Sequence, residues 1–192
     1  GKMLVTKVDK KTFVGKDILH VALFKKKDER TTYNMIYKDS GSGKSFMKRF
    51  HVTSVTRDKE YELGKGSKPQ VLYFTANPNG EAEVVTVHLR TLKKLKKLRF
   101  DVDFSVLAIK GRNAGGNLVS KNSIKRIELK EGGISTLSAR KIWYDDKVMR
   151  LNVDAIGTFL GDFQADDKIL VVRQDGTYQL IGFELSSRFT DD

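Results

Sequence analysis

The chain has 192 residues, of which 39% are apolar, so it can bury a sizeable core; the absence of cysteine excludes disulfides, thiolate metal sites and cysteine nucleophiles. Lys and Arg number 36 against 24 Asp and Glu, a net charge of +12, which predicts a polyanionic partner. Residues 1–100 hold 23 basic and 10 acidic side chains, whereas residues 101–192 hold 13 and 14. The alternative is a soluble protein with a generally basic surface.

The sequence contains few signals of a domain boundary, a membrane span or a targeting segment. It begins Gly-Lys-Met, so we expect Gly1 to be a cloning remnant and the chain to be a piece of a longer protein, with any catalytic part outside it. No run reaches the roughly 18 apolar residues that a membrane span needs, and no signal-peptide pattern occurs, so we expect a cytoplasmic protein. With two prolines and no Ser/Gly linker, residues 1–192 are predicted to form a single domain.

Short β-branched and aromatic runs bounded by Gly, Asp and Asn recur along the chain, while helical apolar spacing is rare. The sequence therefore predicts an all-β protein. Four segments share the order apolar strand, glycine turn, second strand: residues 33–50, 71–89, 104–121 and 168–183. A fifth unit is expected at 141–153, around Asp145 and Asp146.

The turn glycines of the four segments are Gly43, Gly80, Gly115 and Gly176. Asn79-Gly80 and Asp175-Gly176 are typical of two-residue type I′ hairpins, because both central residues of that turn need positive φ. The four turn glycines lie 37, 35 and 61 residues apart, and hairpins repeated with a period in this range predict a propeller-like array of four or five four-stranded blades. A β-sandwich or barrel with ordinary hairpins is the alternative.

The first turn contains Gly-Ser-Gly-Lys-Ser at 41–45, which resembles a phosphate-binding loop. Such a loop needs a glycine five residues before the Gly43-Lys44 pair and a helix after it, since the helix N-terminus faces the phosphates. Lys38 stands at the glycine position, and residues 45–55 have a strand-like composition. We therefore interpret this run as a hairpin turn.

The segment 89–100, "LRTLKKLKKLRF", is the densest cluster of cations in the chain. Leucines recur every third residue, which leaves open a short amphipathic helix facing a membrane surface or a partner groove. No cap precedes it and a strand-like run follows, so an exposed basic strand or a connection between blades is preferred. Closely spaced cations of this kind favour phosphate contact, because they release counterions together.

The segment 110–126 joins a glycine-rich turn to several further cations, and such a turn can be structural and still present a side chain to DNA. Elsewhere, His20, His51 and His88 share no metal-ligand spacing, and no hydrolase motif occurs. The sequence therefore predicts no active site, no metal and no cofactor.

A family resemblance rests on four of the predicted blade segments and on their order. The segments are "SFMKRFHVTSVTRDKEYEL", "VLYFTANPNGEAEVVTVHLR", "LAIKGRNAGGNLVSKNSIKRIEL" and "DKILVVRQDGTYQLIGFEL". The chain resembles the C-terminal domain of the DNA-cleaving subunit of bacterial type IIA topoisomerases (topoisomerase IV and DNA gyrase), most closely the topoisomerase IV type of Bacteroidetes-like sequences. The resemblance covers nearly the whole chain, and no single short motif carries it.

The resemblance implies a β-pinwheel, a propeller-like disc of strand-exchanged blades whose basic rim binds and bends duplex DNA. Gyrase members of the family carry a Q-R-R-G-G-K-G box; the nearest match here, Lys110 to Gly116, lacks the paired arginines and the Gly-Lys-Gly end. That departure favours a topoisomerase IV-like role. The family's DNA-cleaving tyrosine lies in the breakage-reunion domain, so none of the tyrosines here inherits it: Tyr33, Tyr37, Tyr61, Tyr73, Tyr144 and Tyr178.

We therefore expect a non-catalytic module that binds and bends duplex DNA within the holoenzyme, alongside the breakage-reunion domain of its own subunit and the separate ATPase subunit, at the nucleoid. A propeller-type scaffold whose basic face binds acidic proteins is the alternative. Residues 151–192 hold 3 basic and 8 acidic side chains and are expected to lie off the DNA path. The expected DNA contacts are Lys44, Lys48, Arg49, Lys65, Lys68, Lys93, Lys94, Lys96, Lys97, Arg99, Lys110, Arg112, Lys121, Lys125, Arg126, Arg140 and Lys141.

Overall fold

The computed structural model describes residues 1–8, 13–66, 68–92, 95–164, 167–185 and 187–189. Throughout these residues the chain is all-β, and its only helical element is a single 3-10 turn at Phe104–Val106. The described part has no helix that is long and apolar enough to cross a membrane. The chain divides into two compact units, Gly1–Thr136 and Leu137–Asp192. A single domain over 1–192 stays a prediction.

The described residues of unit 1 form three small sheets. Its strands are β1 (Lys2–Leu4), β2 (Thr32–Lys38), β3 (Ser45–His51), β4 (Glu60–Glu62), β5 (Gln70–Asn77), β6 (Glu81–Leu89), β7 (Arg99–Asp103), β8 (Ile109–Gly111), β9 (Asn117–Ser120) and β10 (Ile124–Ser135). Sheet A pairs β1 with β4, and sheet C has the order β10-β6-β7. Sheet B has the order β5-β2-β3, with both β8 and β9 on the outer edge of β3.

The β2–β3 hairpin is confirmed, with Tyr33 opposite Phe50 and Lys38 opposite Ser45. Its turn is a local structure: the Asp39 carboxylate accepts hydrogen bonds from the N–H groups of Gly41 and Ser42. Gly43 has a φ of 68°, which favours glycine. The interpretation of 41–45 as a turn between strands is therefore confirmed.

The predicted hairpin at 71–89 is wrong. β5 and β6 are joined by a turn in which the Gly80 N–H donates to the Asn77 carbonyl, but β5 pairs with β2 in sheet B while β6 pairs with β7 and β10 in sheet C. Only Gly80 has a positive φ in this turn, whereas a type I′ hairpin also requires one at Asn79. The chain therefore crosses from one sheet to the next at this turn.

The predicted hairpin at 104–121 is also wrong. β8 runs parallel to β3 at Arg49–His51, and β9 runs antiparallel to β3 at Ser45–Met47. The two strands thus follow one another along a single edge of β3 instead of pairing together. Gly116, with a φ of 79°, lies against the Met47 backbone at the point where β9 begins.

The core of unit 1 lies on both faces of sheet B. Along β2, Ile36 points to one side and packs with Val85 and Val87 of sheet C, while Met35 and Tyr37 point to the other. The cluster around Met35 and Tyr37 also includes Leu63, just after β4, and Met3 of β1 packs against it. Successive side chains of a strand alternate between faces, and those of β2 and β3 are buried on both faces. Sheets A and C therefore cover the two faces of sheet B, and the three sheets form stacked layers.

In the part of unit 2 that the structure describes, the strands form two sheets. Its strands are β11 (Arg140–Asp145), β12 (Arg150–Asn152), β13 (Thr158–Phe163), β14 (Ile169–Val172) and β15 (Tyr178–Ile181), in the orders β12-β11-β13 and β14-β15. The hairpins at 141–153 and 168–183 are confirmed. The last turn is not type I′, because Gly176 has a φ of 83° but Asp175 is not positive. Ile142, Leu151 and Phe183 form the core.

Candidate nucleic-acid interface

Two lysines lie just outside the strands of sheet B, at the same end of the sheet. Ser45 at the start of β3 faces Ser120 at the end of the antiparallel β9, so the flanking residues Lys44 and Lys121 project from neighbouring strand ends. Both lysines are exposed. The turn that carries Lys44 also holds Asp39, and hydrogen bonds from the hydroxyl and N–H of Ser42 lower the pKa of that carboxyl. The acid is thus occupied by its own turn.

The loop between β4 and β5 adds Lys65 and Lys68 to this end of sheet B. The Lys68 N–H donates to the hydroxyl of Ser40 at 3.4 Å, which holds the loop against the β2–β3 turn. The Lys65 ammonium lies 5.7 Å from the centroid of the Phe46 ring, a cation–π arrangement that leaves the lysine exposed.

At the corresponding end of sheet C, residues 90–98 form the loop between β6 and β7. The Leu89 N–H donates to the Leu98 carbonyl at 2.8 Å and closes the loop. The described residues of the loop include no helix, and Lys96 and Lys97 are exposed. The preferred interpretation, a basic strand or a connection between blades, is therefore not confirmed, because the loop joins two paired strands of one sheet.

Three basic side chains lie side by side near one end of the sheet C strands. His88 of β6 lies between Arg99 of β7 and Arg126 of β10, and cross-strand partners share a face. The acid on this face is already paired: Glu128 accepts from His88 at 2.7 Å and lies 3.3 Å from Arg126. On β7, hydrogen bonds from Lys130 of β10 and Thr86 of β6 lower the pKa of Asp101.

The two ends are connected through the backbone, because the Arg90 N–H donates to the Ser123 carbonyl at 2.9 Å. The segment that follows β9 therefore runs from the sheet B end to the sheet C end. Residues 90–99 and 120–127 contain no acidic residue. We name the exposed cations at these ends the basic edge: Lys44, Lys65, Lys68, Arg90, Lys96, Lys97, Arg99, Lys121, Lys125 and Arg126.

Charge is distributed unevenly between the units. Unit 1 holds 29 basic and 14 acidic side chains, a net charge of +15, whereas unit 2 holds 7 and 10, a net charge of −3. The excess positive charge of the whole chain therefore resides in unit 1, the unit that carries the basic edge.

Lys48 was expected at the DNA but lies inside unit 1, with 3% of its surface exposed. Its ammonium donates to the carbonyls of Arg112 at 2.6 Å and Ala114 at 3.1 Å, and it lies 4.5 Å from the centroid of the Phe50 ring. Burial lowers the pKa of Lys48 to about 8. This lysine holds the 111–116 loop against β3 and is not available to phosphate.

Arg49 is likewise buried, with 2% exposed. Its guanidinium donates to the Asn34 side-chain oxygen at 3.0 Å, to the Gly80 carbonyl at 2.7 Å and to the Thr136 hydroxyl at 3.0 Å. Alternation along β3 explains the failure of the expectation, because a strand buried on both faces has no solvent side to offer a cation. Lys48 and Arg49 are therefore removed from the expected contacts.

Of the remaining expected cations, Lys110 and Arg112 lie in unit 1 but away from the basic edge. Lys110 pairs with Phe50 at the opposite end of β3, and the Arg112 guanidinium stacks on the Tyr61 ring at 4.0 Å while donating to the Ser54 carbonyl. Arg140 and Lys141 belong to unit 2. Lys93 and Lys94 lie outside the described residues. Arg90 was not among the expected contacts, although it begins the cationic run.

The fold and the charge define a class: a multi-sheet β domain with a strongly basic edge on its first unit. The family model of the topoisomerase C-terminal domain of Bacteroidota matches residues 1–131 and 150–192. The chain therefore belongs to the topoisomerase C-terminal domain family, and the resemblance found in the sequence is confirmed. No curated protein and no solved structure gives a significant match. Family membership assigns the chain to a topoisomerase-associated module.

Proposed function

We propose that this chain is a non-catalytic module that binds and bends duplex DNA for a type IIA topoisomerase, as part of a topoisomerase IV-like DNA-cleaving subunit. The observation that carries the proposal is the convergence of exposed cations from two separate sheets on the basic edge, within a unit of net charge +15. A duplex, whose two strands together carry one negative charge per roughly 1.7 Å of axis, is the partner that matches such an edge.

Phosphate contacts dominate this mode of binding. Lys44 and Lys121 at sheet B and Lys96 and Lys97 at sheet C give a duplex two anchoring points on different layers. Contacts of this type fix the position of a duplex without reading its sequence, so binding is governed by shape and deformability. A duplex that meets both points gains contacts by bending, which offsets the elastic cost of the bend.

The stacked sheets A, B and C and the crossing of the chain at Gly80 are compatible with a strand-exchanged blade array. We propose a β-pinwheel of four or five blades, in which the basic edge forms part of the rim. In this arrangement the less basic unit 2, with net charge −3, lies off the DNA path.

The remaining parts of the proposal concern the holoenzyme. The partial box at Lys110 to Gly116 favours decatenation over gyrase-type supercoiling. The DNA-cleaving tyrosine then belongs to the breakage-reunion domain, ATP hydrolysis belongs to the separate ATPase subunit, and the complex works in the cytoplasm at the nucleoid. A topology assay with the full-length protein and its ATPase partner distinguishes decatenation from supercoiling.

The direct test is the salt dependence of duplex affinity. Each phosphate contact adds a slope of about −0.9 to a plot of log affinity against log salt, so an edge making several contacts gives a steep line. A flat line would refute the proposal. Competition with an acidic polypeptide separates the alternative: equal competition by polypeptide and duplex at matched charge would favour a scaffold for acidic proteins.

Charge reversal locates the interface. Lys96→Glu with Lys97→Glu should weaken binding far more than Lys168→Glu with Arg173→Glu, the matched pair in unit 2. Equal effects from the two pairs would contradict the assignment to the basic edge.

A further inference from the structure

The 89–100 segment has four leucines spaced three apart, and they do not share one environment. Leu89 is buried, and Leu95 and Leu98 pack against the core between sheets B and C. Leu92 alone points outward, with 51% of its surface exposed. A single exposed leucine is common on protein surfaces. The position of Leu92 distinguishes it, because it lies within the most cationic loop of the chain.

The loop that presents Leu92 is anchored on both sides. The Leu95 N–H donates to the Leu92 carbonyl at 3.0 Å, which ties the Leu92 backbone to a residue that packs against the core. Behind it, the Arg90 N–H is bonded to the Ser123 carbonyl, and Leu95 is fixed by core packing. An apolar side chain whose own backbone is held this way loses less conformational entropy when it inserts into a partner.

The surroundings of Leu92 define the chemistry of that partner. Arg90, Lys96 and Lys97 are exposed on the same loop, and residues 90–99 contain no acid. Such charge complements a polyanion and disfavours an uncharged apolar surface. Proteins that kink DNA combine these two elements: cations hold the backbone while an apolar side chain enters between base pairs.

We infer that Leu92 is a wedge that enters a base step of duplex DNA held on the basic edge, and that it sets the position of a kink. This inference rests on the proposed function and adds to it a defined contact with bases. Arg90, Lys96 and Lys97 neutralise the phosphates on either side of the opened step. Flexible pyrimidine–purine steps are the preferred sites, because they unstack most easily.

The test uses the 192-residue chain with a duplex that carries 2-aminopurine at several TA steps, since this base brightens when it unstacks. Wild type should raise the fluorescence, and Leu92→Ala should reduce the rise by about two-thirds or more while weakening affinity by only about threefold. Leu92→Met, which keeps a long apolar side chain, should restore the rise. End-to-end energy transfer on the same duplex should show a smaller bend with Leu92→Ala.

Val106→Ala is the matched control, because Val106 is 76% exposed but lies beyond the far end of β7 from the loop. It should leave fluorescence and bend unchanged, and both alanine variants should unfold at the wild-type urea midpoint. A wild-type protein that binds with a steep salt slope but gives no fluorescence rise would overturn the wedge and leave the proposed function intact. An equal loss of signal in Leu92→Ala and Val106→Ala would also overturn it. Absence of duplex binding would refute the proposed function itself.

Discussion

The Arg49 guanidinium donates to the Thr136 hydroxyl at 3.0 Å, and this bond ties the middle of β3 to the last residue of unit 1. The Thr136 hydroxyl in turn donates to the Gly80 carbonyl at 2.9 Å, where the chain crosses from sheet B to sheet C. Arg49 therefore links both sheets to the end of unit 1. Asn34 connects this group to the buried Glu83 carboxylate, 2.7 Å away.

Removal of the Arg49 side chain should destabilise the protein more than removal of any exposed cation. Arg49→Ala leaves Glu83 buried without a compensating charge and deprives the Gly80 carbonyl of a donor, so we expect a loss of about 3 to 5 kcal/mol in the free energy of unfolding. Urea denaturation measures it. Arg49→Lys, which keeps the charge but cannot reach all the acceptors, should lose less. The exposed Arg57→Ala is the control, within about 0.5 kcal/mol of wild type; a similar loss for Arg57→Ala would contradict the assignment.

Lys48 should make stability rise with pH. Its folded pKa of about 8 lies below the ordinary value of 10.5, so above pH 8 the folded chain releases this proton while the unfolded chain keeps it. The unfolded state then binds more protons, and the free energy of unfolding increases, by about 2 kcal/mol between roughly pH 7.5 and pH 9.5. Lys48→Met should lack this increment in parallel urea titrations. Identical pH slopes for the two proteins would show that Lys48 does not titrate in this range.

Gly116 should not tolerate a side chain. Its φ of 79° favours glycine, and a Cβ atom there would overlap the Met47 carbonyl of β3. Gly116→Ala should therefore lower the free energy of unfolding by about 1 to 3 kcal/mol. Gly111 is the control in the same loop, because a Cβ there meets open space. Thermal melts that are equally shifted for both alanine variants would contradict this interpretation of the loop.

The two lysines that leave sheet B should each contribute one phosphate contact. Neutralising both in Lys44→Gln with Lys121→Gln should reduce the magnitude of the salt slope for duplex binding by about 1.8. The matched pair is Lys168→Gln with Arg173→Gln in unit 2, which should leave the slope unchanged. A slope that stays constant in the first pair would remove the sheet B end from the interface.

The strand composition was predictable because β-branched and aromatic runs report a pleated, buried surface regardless of which partner they pair with. The hairpins at 33–50 and 168–183 followed from local turn signals. The pairings at 71–89 and 104–121 did not, because the same signal marks the turn at Gly80 whether the chain folds back on itself or enters another sheet. Strand partners are decided by long-range packing, which leaves no mark at the turn.

The basic edge was predictable as a region and less so as a set of exposed residues. Uncompensated cations such as Lys96 and Lys97 identified the sheet C loop from charge alone. Lys48 and Arg49 misled the prediction because an isolated strand gives no sign of being covered on both faces, and only the stacking of sheets A and C on sheet B makes their burial necessary. The inference about Leu92 required knowing which of four equally spaced leucines faces outward.

The crossing of the chain from β5 to β6 has a mechanical consequence. A bent duplex is a spring, and one anchored at both sheet B and sheet C pulls the two layers apart as it straightens. The covalent turn at Gly80 carries that load directly, and Arg49 shares it through the same carbonyl. In the proposed complex, the pull of a strained duplex is thus resisted by the chain itself and not only by the apolar contact between the sheets.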